Sequence, residues 1–168
     1  MQTKKICMIG DFAVGKTSLI SRYVHNQFSA DYLTTIGVKI DTKELILDSG
    51  DPIKLVLWDI AGTDSLATIG RNYLKGAAGY FLVVDGTRSA TFDVAVQLQQ
   101  QTEQELGNMP FSMLLNKQDL DYQWSLNNDA ISGLESQGWS ILKCSAKGGD
   151  GVEDAFKALG KKMVINTK

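Results

Sequence analysis

The sequence predicts an α/β fold: a six-stranded, mostly parallel sheet with one antiparallel strand and helices on both faces. Three observations carry that prediction. Strand-like and helical stretches alternate along the 168 residues, with no internal repeat and no linker. Four runs, around residues 6, 81, 113 and 141, are almost continuously apolar, the pattern of parallel strands covered on both faces. Residues 10–17 read Gly-Asp-Phe-Ala-Val-Gly-Lys-Thr directly after the first such run. This is a complete G-x-x-x-x-G-K-[ST] pattern, which works only between a strand and a helix.

Each element has its own justification. Residues 6–9 form the first strand, and a helix begins near Lys16. Residues 38–47 alternate, with Lys39, Asp41 and Lys43 between Val38, Ile40 and Thr42, as in a strand with one wet face. The turn cluster Asp48-Ser49-Gly50-Asp51-Pro52 joins it to residues 53–58 and is short enough for an antiparallel hairpin. Residues 80–84, 111–115 and 139–143 supply the other strands. A helix starts near Ser89, and its glutamine-rich stretch 97–104 reads as a solvated side, with a low-complexity interaction tract as the alternative. In the last helix Val152, Ala155, Phe156, Leu159 and Met163 form an apolar stripe that must pack on the sheet. At 43% hydrophobic residues, the chain is expected to fold as one domain over 1–168, burying about 70% of its unfolded surface.

Charge and composition exclude several classes. Seventeen basic against nineteen acidic residues give a net charge of -2, so nucleic acid is not an expected partner. No apolar run approaches the ~20 residues of a membrane span, and Met1-Gln2-Thr3-Lys4-Lys5 lacks a signal-peptide core. Cys7 and Cys144 read as small core residues of a reducing compartment rather than a disulfide or metal pair. The lone His25, near a helix end, reads as solvated. The expectation is a soluble, cytoplasmic monomer.

The motifs fall at the carboxyl ends of strands, where ligands bind in sheets of this kind. Gly10 and Gly15 allow the backbone to bend around an anion, and the following helix aims its unpaired N–H groups at phosphate oxygens. Lys16 reaches β- and γ-phosphates and the Thr17 hydroxyl suits magnesium, with Asp11, Ala13, Val14, Gly15 and Ser18 as further phosphate-loop contacts. A nucleoside di- or triphosphate is the predicted ligand. Trp58-Asp59-Ile60-Ala61-Gly62 closes the third strand, with Asp59 able to hold magnesium opposite Thr17 and the Gly62 N–H able to meet a γ-phosphate. Alone, D-x-x-G is an ordinary turn pattern; behind a phosphate loop it is specific. Asn116-Lys117-Gln118-Asp119, followed by Leu120, closes the fifth strand, and Cys144-Ser145-Ala146-Lys147 closes the sixth. The Asp119 carboxylate can accept both guanine N–H donors, whereas adenine would leave it unpaired.

These motifs in this order, with Thr34-Thr35-Ile36-Gly37 between the first two, resemble the Ras superfamily of small GTPases over essentially the whole chain. Residues 17–23, 32–38 and 72–77 are similar to its Rab branch. The resemblance implies a P-loop NTPase of the small G-protein fold, cycling between GDP and GTP with Mg²⁺. It implies that Thr35 grips magnesium and γ-phosphate, and that Phe28 packs on guanine, unless Phe28 is a core aromatic. It further implies that Lys117 lies over the base and that the Ala146 N–H meets the base carbonyl, flanked by Ser145 and Lys147. Residues 26–37 and 60–74 correspond to the two nucleotide-sensing loops, and 26–45 with 60–75 to the surface for protein effectors and an exchange factor.

The departures carry expectations too. Thr63 stands where the family has its catalytic glutamine, and Phe12 where relatives have glycine or another small residue. With Lys16, Thr35 and Gly62 as the other catalytic positions, hydrolysis is expected to be slow, because Thr63 cannot present an amide to the attacking water. Leu74 and Ile40 replace Rab aromatics, which points away from standard Rab effectors. The chain ends at Asn166-Thr167-Lys168 without a cysteine, so it is expected to be either truncated or unprenylated, with membrane association only in the former case. A regulatory GTPase is the leading reading, a GTP-binding scaffold with negligible turnover the second. A P-loop kinase is the third, but it would need an acceptor lid and catalytic arginines that are not recognisable.

Overall fold

The computed structural model describes residues 1–29, 37–62 and 71–165. Its strands are β1 Gln2–Gly10, β2 Val38–Ile46, β3 Pro52–Ile60, β4 Ala77–Asp85, β5 Phe111–Asn116 and β6 Ile141–Lys143. Among the described residues the helices are α1 Lys16–His25, α2 Ser89–Leu106, α3 Asn128–Ser136 and α4 Val152–Ile165, and none is long and apolar enough to cross a membrane.

The strands form one six-stranded sheet in the order β2-β3-β1-β4-β5-β6. Among the described residues only β2 and β3 run antiparallel, with Val38 opposite Ile60 and Ile46 opposite Pro52; every other pair is parallel. Pro52, read from sequence as part of the turn, is instead the first residue of β3. That is a strand position where a missing N–H is tolerated. The turn shrinks to residues 47–51, with Gly50 at φ 89°. Strand β6 starts later than expected because the Trp139 N–H donates to the Leu134 carbonyl at the end of α3 (3.1 Å) rather than to the sheet.

Alternation along β1 divides the core. Ile6 and Met8 face α1 and α4, where Tyr23 stacks on Phe156 with ring centroids 3.9 Å apart. Cys7 and Ile9 face α2, which buries Phe92, Ala95 and Leu98. All five residues of the predicted α4 stripe are buried. The glutamine stretch is solvated at Gln97, Gln100 and Gln104, but Gln99 turns inward and donates to Glu103 at 3.2 Å. Cys7 and Cys144 are both buried and free, and burial pushes each thiol up to about 12. Because β1, β3, β4, β5 and β6 are parallel, their carboxyl ends leave the sheet along one edge. That edge collects the motifs.

Candidate functional site

The phosphate loop is fixed by its carbonyls. Lys16 Nζ donates to the carbonyls of Gly10 (3.2 Å) and Asp11 (3.0 Å). Arg88 Nη2 holds the Phe12 carbonyl at 2.7 Å, Lys117 Nζ the Ala13 carbonyl at 3.3 Å, and Asn116 Nδ2 the Val14 carbonyl at 2.9 Å. Five consecutive carbonyls are thus occupied, three of them by groups from outside the loop. In a planar trans peptide the N–H points opposite the carbonyl, so the N–H groups of Ala13, Val14 and Gly15 turn the other way, as in an anion-binding concavity. The first-turn N–H groups of α1 continue it. Its N-cap, Gly15, offers no side chain, and no acidic residue lies in the first turn. Glycine is needed at two points: a Cβ on Gly10 would lie 2.7 Å from the Val83 carbonyl oxygen, and one on Gly15, at φ 103°, would collide with the Asn116 amide. Ala13 also adopts a left-handed conformation (φ 59°), which costs a non-glycine residue roughly 1–2 kcal/mol.

Lys16 is buried, and desolvation pushes its ammonium down to about 8, against the opposing pull of the Asp59 and Asp11 carboxylates. A bound polyphosphate would favour the charged form. Thr17 Oγ1 donates to Asp59 Oδ2 at 2.6 Å, so the two oxygen groups expected to hold magnesium are in contact. This donor set fits a hard divalent cation. Gly62 abuts the loop: a Cβ there would lie 2.7 Å from Phe12 Cα and 3.1 Å from the Asp11 carbonyl oxygen. The Phe12 side chain is 54% exposed. Thr35 and Thr63 lie outside the described residues.

The base-side motifs lean on the phosphate loop. Besides holding Val14, Asn116 accepts at Oδ1 from the Ala146 N–H (3.2 Å) and, more weakly, from Cys144 Sγ (3.9 Å). The N–H expected to face a base carbonyl is therefore engaged in a long bond to Asn116. Lys117 is left-handed (φ 71°), and its carbonyl accepts from the Leu120 N–H and from Trp124 Nε1, at 2.8 and 2.9 Å. Ser145 Oγ donates to Asp119 Oδ1 at 2.8 Å and accepts from the Gly148 N–H. Asp119 itself is exposed, as is Lys147, while Leu120 is half-buried. Phe28 is 39% exposed, so it is not a core aromatic.

Asp85, Arg88, Arg22 and Trp124, none of them among the predicted site residues, complete the site. Asp85, at the end of β4 and only 1% exposed, meets Lys117 Nζ (2.7 Å) and Arg88 Nε (3.0 Å) through one carboxylate oxygen, and both donors of Thr87 through the other. Burial pushes its carboxyl up, but the bonds from Lys117, Thr87 and Arg88 outweigh it and hold it below the usual carboxylate range. Arg22 of α1 donates to the carbonyls of Ala146 (2.8 Å) and Lys147 (2.6 Å). Trp124 supports Lys117 and packs where a Cβ on Gly86 would stand. Of the four, Asp85 alone had a readable signal, a charge closing an apolar run at the functional edge. The others act on backbone atoms distant in sequence.

Comparison with known proteins agrees with this geometry. A model of the Ras family matches residues 5–165. Ras-related protein Rab-32 of Homo sapiens is 34% identical, over 96% of this chain and 75% of its own length. Ras-related protein Rab-7L1 of Rattus norvegicus is 31% identical, over 98% of this chain and 83% of its own. Ras-related protein RABA2d of Arabidopsis thaliana is 36% identical, over 92% and 72%.

Proposed function

This chain belongs to the Ras family of small GTPases, and on that premise we propose a GDP/GTP switch whose hydrolysis is atypically slow. The observation that carries the reading is the braced phosphate loop: carbonyls 10–14 all accept, and two of the donors come from the motif that would read the base. Phosphates are held by the N–H groups of Ala13, Val14, Gly15, Lys16, Thr17 and Ser18, by the Lys16 ammonium, and beside Asp11 and Gly62. Thr17, Asp59 and Thr35 would hold Mg²⁺, which when bound would supply positive charge against the phosphates. Phe28, Asn116, Lys117, Asp119, Leu120, Ser145, Ala146 and Lys147 form the guanine side.

In hydrolysis a water oxygen bonds to the γ-phosphorus as the bond to the β–γ bridging oxygen breaks, yielding GDP, phosphate and a proton. The protein contributes position and charge. Thr63 has no amide to orient that water, and the Phe12 ring at the loop surface narrows the approach for an arginine supplied by another protein. Such an arginine is worth roughly 10³–10⁵ in rate. The same two residues favour the second reading, a scaffold that holds GTP with negligible turnover. The whole chain serves as one GTP-binding domain in the cytoplasm, and residues 26–45 and 60–75 meet effectors and an exchange factor.

Identification of the co-purifying nucleotide, with single-turnover hydrolysis, tests the reading. GDP in the purified protein and a rate at or below ~10⁻⁴ s⁻¹, the scale of unaided small GTPases, are expected. Retained GTP with no turnover selects the scaffold. A fast rate indifferent to substitution of Thr63 removes the slow-hydrolysis proposal and points to another residue of that loop, such as Asp64 or Ser65.

A further inference from the structure

Arg88 could be a surface residue that merely neutralises Asp85 three positions earlier. The geometry points further. Its guanidinium is anchored at two separate places: Nε lies 3.0 Å from Asp85 Oδ2, and Nη2 donates at 2.7 Å to the carbonyl of Phe12, 76 residues away in sequence. Asp85 cannot drift to meet it. It is buried, and its other oxygen accepts from both the N–H and the hydroxyl of Thr87, at 2.9 and 2.7 Å. The backbone of Arg88 is fixed as well, since its N–H donates to the Asp85 carbonyl at 3.0 Å.

The far end of this fork falls at a sensitive point. The Phe12 carbonyl belongs to the peptide that precedes Ala13, and Ala13 is in the left-handed region at φ 59° without being glycine. An alanine left alone favours a right-handed or extended conformation, which would rotate this peptide and turn the neighbouring N–H groups away from the concavity. Among the described residues, Arg88 is the donor that holds that carbonyl. The next carbonyl, of Ala13, is held by Lys117, which shares the same Asp85 oxygen.

We propose that Arg88 is a positioning residue for polyphosphate binding: oriented by Asp85, its planar fork holds the Phe12 carbonyl outward and keeps the Ala13 peptide in the anion-binding arrangement. The proposal rests on the guanine-nucleotide reading of the site. It makes the β-phosphate, not the base, the part of the ligand that senses Arg88. It also assigns Asp85 a second task, since one buried carboxylate sets both the Arg88 and the Lys117 contacts to consecutive carbonyls.

The test compares GDP with GMP, measured by displacement of a fluorescent GDP from the full chain, for the wild type, Arg88→Ala and Arg88→Lys. Lysine keeps a cation beside Asp85 but lacks the planar fork that reaches two acceptors at once. Both variants should lose about tenfold in GDP affinity, the scale of one charge-assisted hydrogen bond, and no more than about twofold in GMP affinity. Adding Ala13→Gly, which removes the conformational penalty at that residue, should shrink the GDP loss caused by Arg88→Ala. Melting temperatures should confirm that every variant is folded. Wild-type affinity in Arg88→Lys, or equal losses for GDP and GMP, overturns the inference while leaving the nucleotide site intact. Failure of the wild type to bind GDP at all overturns the reading of the site, and the inference with it.

Discussion

The phosphate loop and the base-side loop both leave the sheet at its carboxyl edge, yet they are built differently. The phosphate loop is clamped: carbonyls 10–14 are held by Lys16, Arg88, Lys117 and Asn116. The base side has two layers. Asn116 and Lys117 face inward and spend their described side-chain bonds on the phosphate loop, on Asp85 and on the loop after β6. Asp119 and Lys147 stand exposed beyond them. A motif that names one function in sequence is therefore divided in space. Its first half braces the neighbouring loop, and its second half stands at the surface, with Asp119 Oδ1 accepting from Ser145 Oγ at 2.8 Å.

Substitution should expose that division. The largest effect is expected for Asn116→Ala, which frees the Val14 carbonyl and removes the acceptor for the Ala146 N–H in a buried setting. About 2–3 kcal/mol of stability should be lost, together with measurable nucleotide binding, in denaturant unfolding and fluorescent GDP titration. Asp119→Ala should separate the two losses. GDP affinity should fall roughly 10²-fold or more through loss of two charge-assisted hydrogen bonds, while stability changes little because the residue is exposed. Asp119→Asn should shift preference toward xanthine nucleotides, whose carbonyl can accept from the new amide. Equal stability losses for Asn116→Ala and Asp119→Ala would erase the distinction between layers.

Thiol labelling reads the inner layer of the base side on a smaller scale. Burial holds both cysteines near 12, so neither should react with a thiol reagent at pH 7.5 in the folded wild type. In Asn116→Ala, Cys144 should become reactive before Cys7, because Cys144 lies against Asn116 and Cys7 lies under α2. Mass spectrometry of the labelled peptides distinguishes them; simultaneous labelling would indicate global unfolding instead.

The smallest effect concerns pH. The Asp85 carboxyl is held below its ordinary value by Lys117, Thr87 and Arg88 despite its burial. A depressed folded-state value contributes stability that is present above the unfolded value, about 3.9, and is lost as pH falls through the folded one. Asp85→Asn should therefore be less stable than the wild type at pH 7, with the gap closing toward pH 3. A gap independent of pH would assign the loss to packing rather than to charge.

Much of this edge is legible in the sequence, for a physical reason. Phosphate binding needs glycine at residues 10 and 15, magnesium needs a hydroxyl and a carboxylate, and guanine needs a carboxylate, so chemistry restricts residue type at fixed spacing. The α4 stripe is legible because a helix on a sheet must present one apolar face. Arg22, Arg88 and Trp124 are illegible because they bind backbone oxygens, which any residue carries, at distances that only the fold sets. Gln99 turns inward because the helix face it occupies packs on β4, against the pull of its polarity. Pro52 enters β3 because a strand's first residue tolerates its missing N–H.

In this reading the clamped loop and the exposed carboxylate form one guanine-nucleotide site. Competition of GDP and ADP for the wild-type protein at fixed Mg²⁺ tests it most directly. Both ligands share the diphosphate, so the braced loop holds them equally, and any preference comes from the base side. GDP should bind tighter by roughly 10³-fold or more, on the scale of sites built to hydrogen-bond a donor the competitor lacks. Equal affinity for GDP and ADP would contradict it.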